Sequence, residues 1–121
     1  MELNSSELKK YSRQLILKNI GIPGQKKLFN SKVLVVGAGG LGCPLMLYLA
    51  YSGVGNLGIA DNDKVEISNL SRQVLFTKKD LGKFKVMVSK NFIKRINKKI
   101  LVKTFLKKIN KENIHKIAKN Y

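Results

Sequence analysis

Tryptophan is absent from this 121-residue chain; cysteine and histidine occur once each, as Cys43 and His115, proline occurs twice and acidic residues only seven times. A single cysteine cannot close an internal disulfide. No zinc site can form within the chain either, because tetrahedral structural sites draw on about four ligands. No apolar run approaches the roughly 20 residues of a membrane-spanning helix. The opening residues, M-E-L-N-S-S-E, lack the basic start and apolar stretch of a secretory signal. With the lone cysteine, these absences point to the cytoplasm and away from membranes.

The scarcity of acids leaves a net charge of +17, which favours anionic partners such as nucleotides, nucleic acid or an acidic protein. Abundant lysine, asparagine and isoleucine together read as a compositional bias, and lysine-rich helix faces are usually solvated. With no nucleic-acid module and no interleaved aromatic platform, no specific nucleic-acid partner is expected. Attraction to phosphate backbones would be non-specific and lost in moderate salt. The acids are also unevenly placed, three of them falling in D-N-D-K-V-E at 61 to 66. Arginine is scarcer still: of 24 basic residues only Arg13, Arg72 and Arg95 are arginines. Where lysine is the default cation, an arginine suggests a place that needs a planar fork of donors.

What is present describes one α/β domain. Asn4 and Glu7 resemble a capping box opening a helix with Leu8, Tyr11 and Leu15 on one face and Arg13 on the other. G-I-P-G at 21 to 24 reads as a break and linker, followed by one further turn over 25–29. K-V-L-V-V at 32–36 is a short apolar, β-branched run of the kind buried on both faces of a parallel sheet. G-A-G-G-L-G follows at 37–42, then a helix over 43–52 closed by Gly53, then a strand over 56–60: a βαβ crossover. Residues 62–79 are polar and irregular, with a helical turn over 68–74. A long amphipathic helix over 83–96 turns Val88, Phe92 and Ile96 inward; a third strand spans 101–105 and a last helix 111–118.

The expected architecture is therefore α/β, a Rossmann-like parallel sheet of strand order 3-2-1, with residues 1–31 as an N-terminal helical extension and 32–121 as the nucleotide-binding domain. In the doubly wound order a fourth strand pairs with the free side of strand one, and the sequence to Tyr121 holds none. The expectation is a domain truncated before its fourth strand, marginal in stability, with an open edge along 33–36 that invites association.

The glycine motif follows a strand and precedes a helix, with Asp61 at the end of the next strand. Gly37 suits the tight turn, Gly39 lets backbone approach a phosphate, and Gly42 allows close helix packing. Helix N-terminal amides supply the positive end, and Asp61 is placed to accept from ribose hydroxyls. Beyond it stand Asn69, Arg72, Gln73 and Lys85. Two amides, a guanidinium and an ammonium suit a triphosphate better than a nicotinamide cofactor, because charge must be neutralised as a pyrophosphate leaves. Cys43 reads as a packed small residue and His115 as exposed and inert.

Y-S-R-Q-L-I-L at 11–17, V-L-V-V-G-A-G-G-L-G-C at 33–43, G-V-G-N-L-G-I-A-D-N-D at 53–63, N-L-S-R-Q-V at 69–74 and G-K-F-K at 82–85 together resemble the ThiF/MoeB/HesA adenylyltransferases, relatives of the ubiquitin-activating enzymes. The resemblance implies an ATP- and magnesium-dependent enzyme that adenylates the C-terminal glycine of a ubiquitin-fold sulfur carrier, in molybdopterin or thiamine synthesis, as a homodimer. It implies that Gly40 lines the nucleotide loop and Asp61 binds the ribose. Asn69, Arg72, Gln73 and Lys85 would hold the phosphates, and Arg13 would reach into the partner subunit's site as an arginine finger. Phe84 and Ser71 depart from the family pattern, where proline and glutamine are common. The family's magnesium-binding aspartate falls beyond residue 121. Alternatives are a non-catalytic nucleotide-binding or interaction module and an NAD-binding oxidoreductase domain.

Overall fold

The computed structural model describes residues 2–121. Met1, first residue of the expected extension, lies outside them. Three parallel strands, β1 (Lys32–Val36), β2 (Asn56–Ala60) and β3 (Leu101–Phe105), lie in the order β1-β2-β3, with Val35 opposite Ile59 and Ile59 opposite Thr104. This is the 3-2-1 order, and the strand limits are those of the apolar runs. Helix α4 (Gly42–Ser52) crosses from β1 to β2, and α5 (Lys85–Ile96) precedes β3. The two helices pack on each other and on one face of the sheet. Their inward residues Cys43, Met46, Ala50, Val86 and Ile93 close over Val35, Leu57 and Ile59 to form the core.

Gly53 ends α4 in the left-handed region (φ 93°), where any side chain is strained. A Cβ there would also lie 2.4 Å from Gln25 Nε2. On the opposite face of the sheet, α6 (Ile114–Ala118) leads to Tyr121, whose ring covers Gly58 and meets Phe105 edge to face.

The N-terminal region differs from the expectation. The first helix is two pieces, α1 (Ser5–Lys10) and α2 (Ser12–Leu15), separated at Tyr11. The break resets the helical phase. Before the break Leu8 is exposed, while Tyr11 is buried edge-on to Phe29 and Glu7, one turn earlier, takes the other inward place. G-I-P-G does not interrupt a helix but starts one: α3 runs Gly21–Asn30 with Pro23 in its first turn, where its missing N–H is not needed. In α5 the most buried line is Val86, Ser89 and Ile93, with Val88 close behind, and Phe92 and Ile96 only flank it.

Glu7 is held by the Asn4 capping box and by Lys99, whose Nζ donates to Glu7 Oε1 at 2.7 Å. The Lys99 hydrogen bond, helped by the Asn4 amide, holds the carboxyl below its ordinary 4.5 despite the opposing push of burial. A lowered folded value means stabilisation that is present above the unfolded value and lost as pH falls through the folded one. The parent should therefore melt above Glu7→Gln at neutral pH, and the two melting temperatures should converge below about pH 4.5. A gap that persists unchanged in acid would exclude the charge as its cause.

Candidate nucleotide site

The site begins where β1 ends. Gly37 (φ 93°) turns the chain, its N–H donating to Ala60 O at 2.8 Å, so the loop is tied to the tip of β2. Asp61, the next residue on that tip, accepts from Ala38 N–H at 2.8 Å through Oδ2 and from Asp63 N–H at 2.8 Å through Oδ1. Each carboxylate oxygen keeps a lone pair for a further donor, so a ribose hydroxyl can still be accepted. One residue thus shapes the glycine loop and faces the crevice. Gly42 seats α4 against the loop so tightly that a Cβ there would fall 1.9 Å from Gly37 O.

The acidic island has a structural use. Its backbone runs beside G-K-F-K: Lys64 bridges Phe84, Val65 N–H donates to Lys83 O, and Lys85 N–H donates to Asp63 O at 3.0 Å. That ladder sets Lys85 at the first position of α5. Its side chain is 5% exposed and has neither a hydrogen bond nor an ion pair among the described residues, where Glu7–Lys99 is the one salt bridge. A cation at a helix N-terminus is also disfavoured by the macrodipole. The dipole and the missing partner together favour an anion beside its Nζ, which keeps contact with solvent.

N-L-S-R-Q forms a 3₁₀ turn over Ile67–Ser71. Asn69 is its scaffold: Oδ1 accepts from Glu66 N–H at 2.8 Å and its carbonyl accepts from the amides of Arg72 and Gln73. Only the Asn69 Nδ2 donors remain for a ligand. Arg72 lies along Gly40, where an added Cβ would sit 3.7 Å from its Cγ and Cδ, and Nη1 rests on Ser68 O at 3.1 Å. Its other donors face solvent. Gln73 is buried with Oε1 lacking any partner, and its Nε2 is the nearest group to Gly39. An end-for-end turn of that amide presents donors in place of the orphaned oxygen. An unpaired ammonium, an unsatisfied amide and an exposed guanidinium fit a phosphorylated ligand on the loop.

Asp61, Arg72 and Gln73 thus meet the loop of Gly37, Gly39, Gly40 and Gly42, while Asn69 holds the turn that bears Arg72 and Gln73, and Lys85 is tied through Asp63 to the segment after Asp61. Arg13 stands apart. Gln14, its neighbour, donates through Nε2 to Gln25 Oε1 at 2.7 Å and to Ser52 O at 3.1 Å, while Gln25 Nε2 donates to the same carbonyl at 2.9 Å. Those bonds fasten α2 to the last residue of α4, about 15 Å along the helix from Gly42. Arg13 is exposed at the far end of the helix that starts at the loop.

A crevice of about 210 Å³ opens between Gly37, Asp61, Asp63 and the segment Lys107–Ile109. These last residues carry no motif. Their place after the carboxyl end of β3 is the signal, since ligands of open α/β sheets sit outside the carboxyl ends of the strands. Among the described residues no group of three or more His, Cys, Asp or Glu side chains gathers. Cys43 is fully buried; burial pushes its thiol up and Sγ donates to Ala38 O. It is a packing residue. His115 is exposed on α6. Arg95, the third arginine, lies over the Phe92 ring. Among the described residues no helix is long and apolar enough to cross a membrane.

Parallel strands in this order, with the glycine loop at the first crossover and an acid at the tip of the second strand, define a Rossmann-like α/β domain. The pattern of the ThiF family matches residues 11–121, and the chain belongs to that family. It is 47% identical over 120 residues to the adenylyltransferase and sulfurtransferase MOCS3 of Culex quinquefasciatus, covering 99% of this chain and 27% of that protein. It is 49% identical over 119 residues to a probable molybdopterin-synthase adenylyltransferase of Gracilaria tenuistipitata var. liui, covering 98% and 34% respectively. Among solved structures, E. coli MccB superimposes with a TM-score of 0.82 at 38% identity, over 94% of this chain and 35% of that one. The chain thus spans about a third or less of these relatives.

Proposed function

We propose that residues 32–121 are the nucleotide-binding part of an ATP-dependent adenylyltransferase, with 1–31 as an extension serving a second subunit's site. The observation that carries this is the unsatisfied, buried Gln73 and the exposed Arg72 against a glycine loop, with an unpaired Lys85 at the first position of α5. In the proposed reaction a carboxylate oxygen of the acceptor attacks the α-phosphorus of ATP. The bond to the bridging oxygen of the β-phosphate breaks, and pyrophosphate leaves with the electron pair. Loop amides hold the phosphates, Asp61 holds the ribose, and Lys85 and Arg72 offset the charge that gathers on the leaving group. Magnesium, when bound with ATP, would supply further neutralisation of the phosphate charge. The relatives' names speak of adenylyl transfer, sulfur transfer and molybdopterin synthase; with the resemblance set out above, the proposed acceptor is the C-terminal glycine of a ubiquitin-fold sulfur carrier, in molybdopterin or thiamine synthesis, and the proposed working form a homodimer in the cytoplasm.

Titration calorimetry of the chain should show ATP binding that weakens about tenfold or more in Arg72→Ala. In the presence of a ubiquitin-fold carrier, pyrophosphate exchange should follow the same order. Equal ATP affinity in the variant would remove Arg72 from the site. Tight NAD binding with no ATP binding would replace the proposal with an oxidoreductase domain, and nucleotide binding without exchange would favour a non-catalytic module.

A further inference from the structure

Two of the chain's three arginines have a place in the proposed reaction; Arg95 has none. It is exposed on α5, its guanidinium 5.4 Å from the ring centre of Phe92, one turn earlier. That stacking holds a planar fork of donors in one place, where a lysine would present a mobile point charge. Beside α5 runs the segment 74–83, and between the two opens a groove of about 620 Å³. Val74, 63% exposed, and Phe92 give it an apolar lining. Lys78, Lys79, Lys83 and Arg95 surround that lining.

The groove is formed in advance of any ligand. Leu75 and Phe76 are buried in the core and anchor the segment. Asp80 Oδ2 accepts from Thr77 N–H at 2.8 Å and from its hydroxyl at 3.1 Å, and Gly82 N–H donates to Val65 O at 2.9 Å. Walls fixed in this way lose little freedom when something binds between them. Asp80, the one acid at the groove, is turned by those bonds to its own segment. None of the four cations has an ion pair among the described residues, where Glu7–Lys99 is the one salt bridge. Unanswered positive charges around an apolar strip fit carboxylates that arrive with an apolar side chain between them.

We propose that this groove docks an acidic segment of a partner protein, with an apolar side chain on Val74 beside Phe92 and carboxylates paired with Arg95 and the surrounding lysines. A second copy does not suit it, because that copy brings its own net charge of +17. A nucleic-acid strand suits it less well than a peptide. Phe92 is packed on the core and covered by Arg95, so no aromatic face is free to stack a base. Val74 would then meet sugar and phosphate, with no apolar group to bury against. An acidic peptide answers both the charge and the apolar lining.

Fluorescence anisotropy at physiological ionic strength, with a labelled peptide of glutamates around a central leucine, should show saturable binding to the chain. The same peptide with glutamines in place of the glutamates should not bind. Arg95→Gln should weaken binding about tenfold or more, and Arg95→Lys, which keeps the charge and loses the fork, about threefold or more. Val74→Ser should weaken it about threefold, and should make no difference to a peptide with glycine in place of the leucine. Lys119→Gln, an equal loss of charge at the end of α6, should leave binding unchanged. Residues 74, 95 and 119 are exposed, so the melting curves of these variants should match the parent's. No nucleotide enters these measurements, so a chain that binds the peptide but not ATP would remove the adenylation reading alone. Absence of peptide binding, equal weakening by Arg95→Gln and Lys119→Gln, or an oligonucleotide whose binding depends on Arg95 and Val74 more than the peptide's does would each overturn the proposal.

Discussion

Lys85→Met should melt higher than the parent and bind ATP at least tenfold more weakly. Methionine keeps the length and unbranched shape of the lysine stem, so packing at the start of α5 is preserved. It removes an ammonium held on a residue only 5% exposed, without a carboxylate partner among the described residues. A cation at a helix N-terminus is disfavoured by the macrodipole by about 0.3–1 kcal/mol, and its removal should raise the melting temperature by about 1–4 °C. The same ammonium supplies a charge-assisted bond worth about 1.5–3 kcal/mol to a bound phosphate, equivalent to about ten- to a hundredfold in affinity. Scanning calorimetry with and without ATP reads both effects. Lower stability with undiminished ATP affinity would mean that Lys85 serves the fold and not the ligand.

Gly42→Ala should be among the most damaging single methyl groups in the molecule's first crossover, alongside Gly55→Ala, whose Cβ would also fall 1.9 Å from a backbone carbonyl oxygen. A Cβ at Gly42 would lie 1.9 Å from Gly37 O and 3.0 Å from Gly37 C, both backbone atoms, so no side chain can turn aside to admit it. Either α4 lifts from the sheet or the loop opens. The expected loss is about 3 kcal/mol or more, with ATP binding lost as well, because the amides that would face phosphate are displaced together. Neighbouring glycines should divide these consequences. At Gly39 the nearest atom to an added Cβ is Gln73 Nε2 at 4.0 Å, so Gly39→Ala should fold normally and lose affinity only through crowding of the ligand. At Gly37 nothing lies within 4 Å and the cost is one of backbone conformation, about 1 kcal/mol. Denaturant titrations that rank Gly37→Ala below Gly42→Ala in stability would contradict the packing account.

The sheet was legible because its strands are continuous apolar runs bounded by breakers. The glycine loop, Asp61 and the N-L-S-R-Q turn were legible because their spacing states a mechanism. Four features were not. The phase break at Tyr11 depends on Phe29, and the inward place of Glu7 on Lys99, contacts that no local periodicity announces. Pro23 stands equally well after a helix or in the first turn of one, and sequence alone does not choose. Lys107–Ile109 join the crevice only because β3 ends beside Asp61. Their selection is a matter of topology.

The bonds that seat the N-terminal extension have a further consequence, for the order in which the chain acquires its shape. Glu7 pairs with a residue 92 positions later, and Gln14 with a carbonyl 38 positions later. Contacts so distant in sequence close late, after local turns and the first crossover. During synthesis the segment holding Arg13 must wait for α4 to form and for Lys99 to emerge. Of these segments the one made earlier is then the later to take its place.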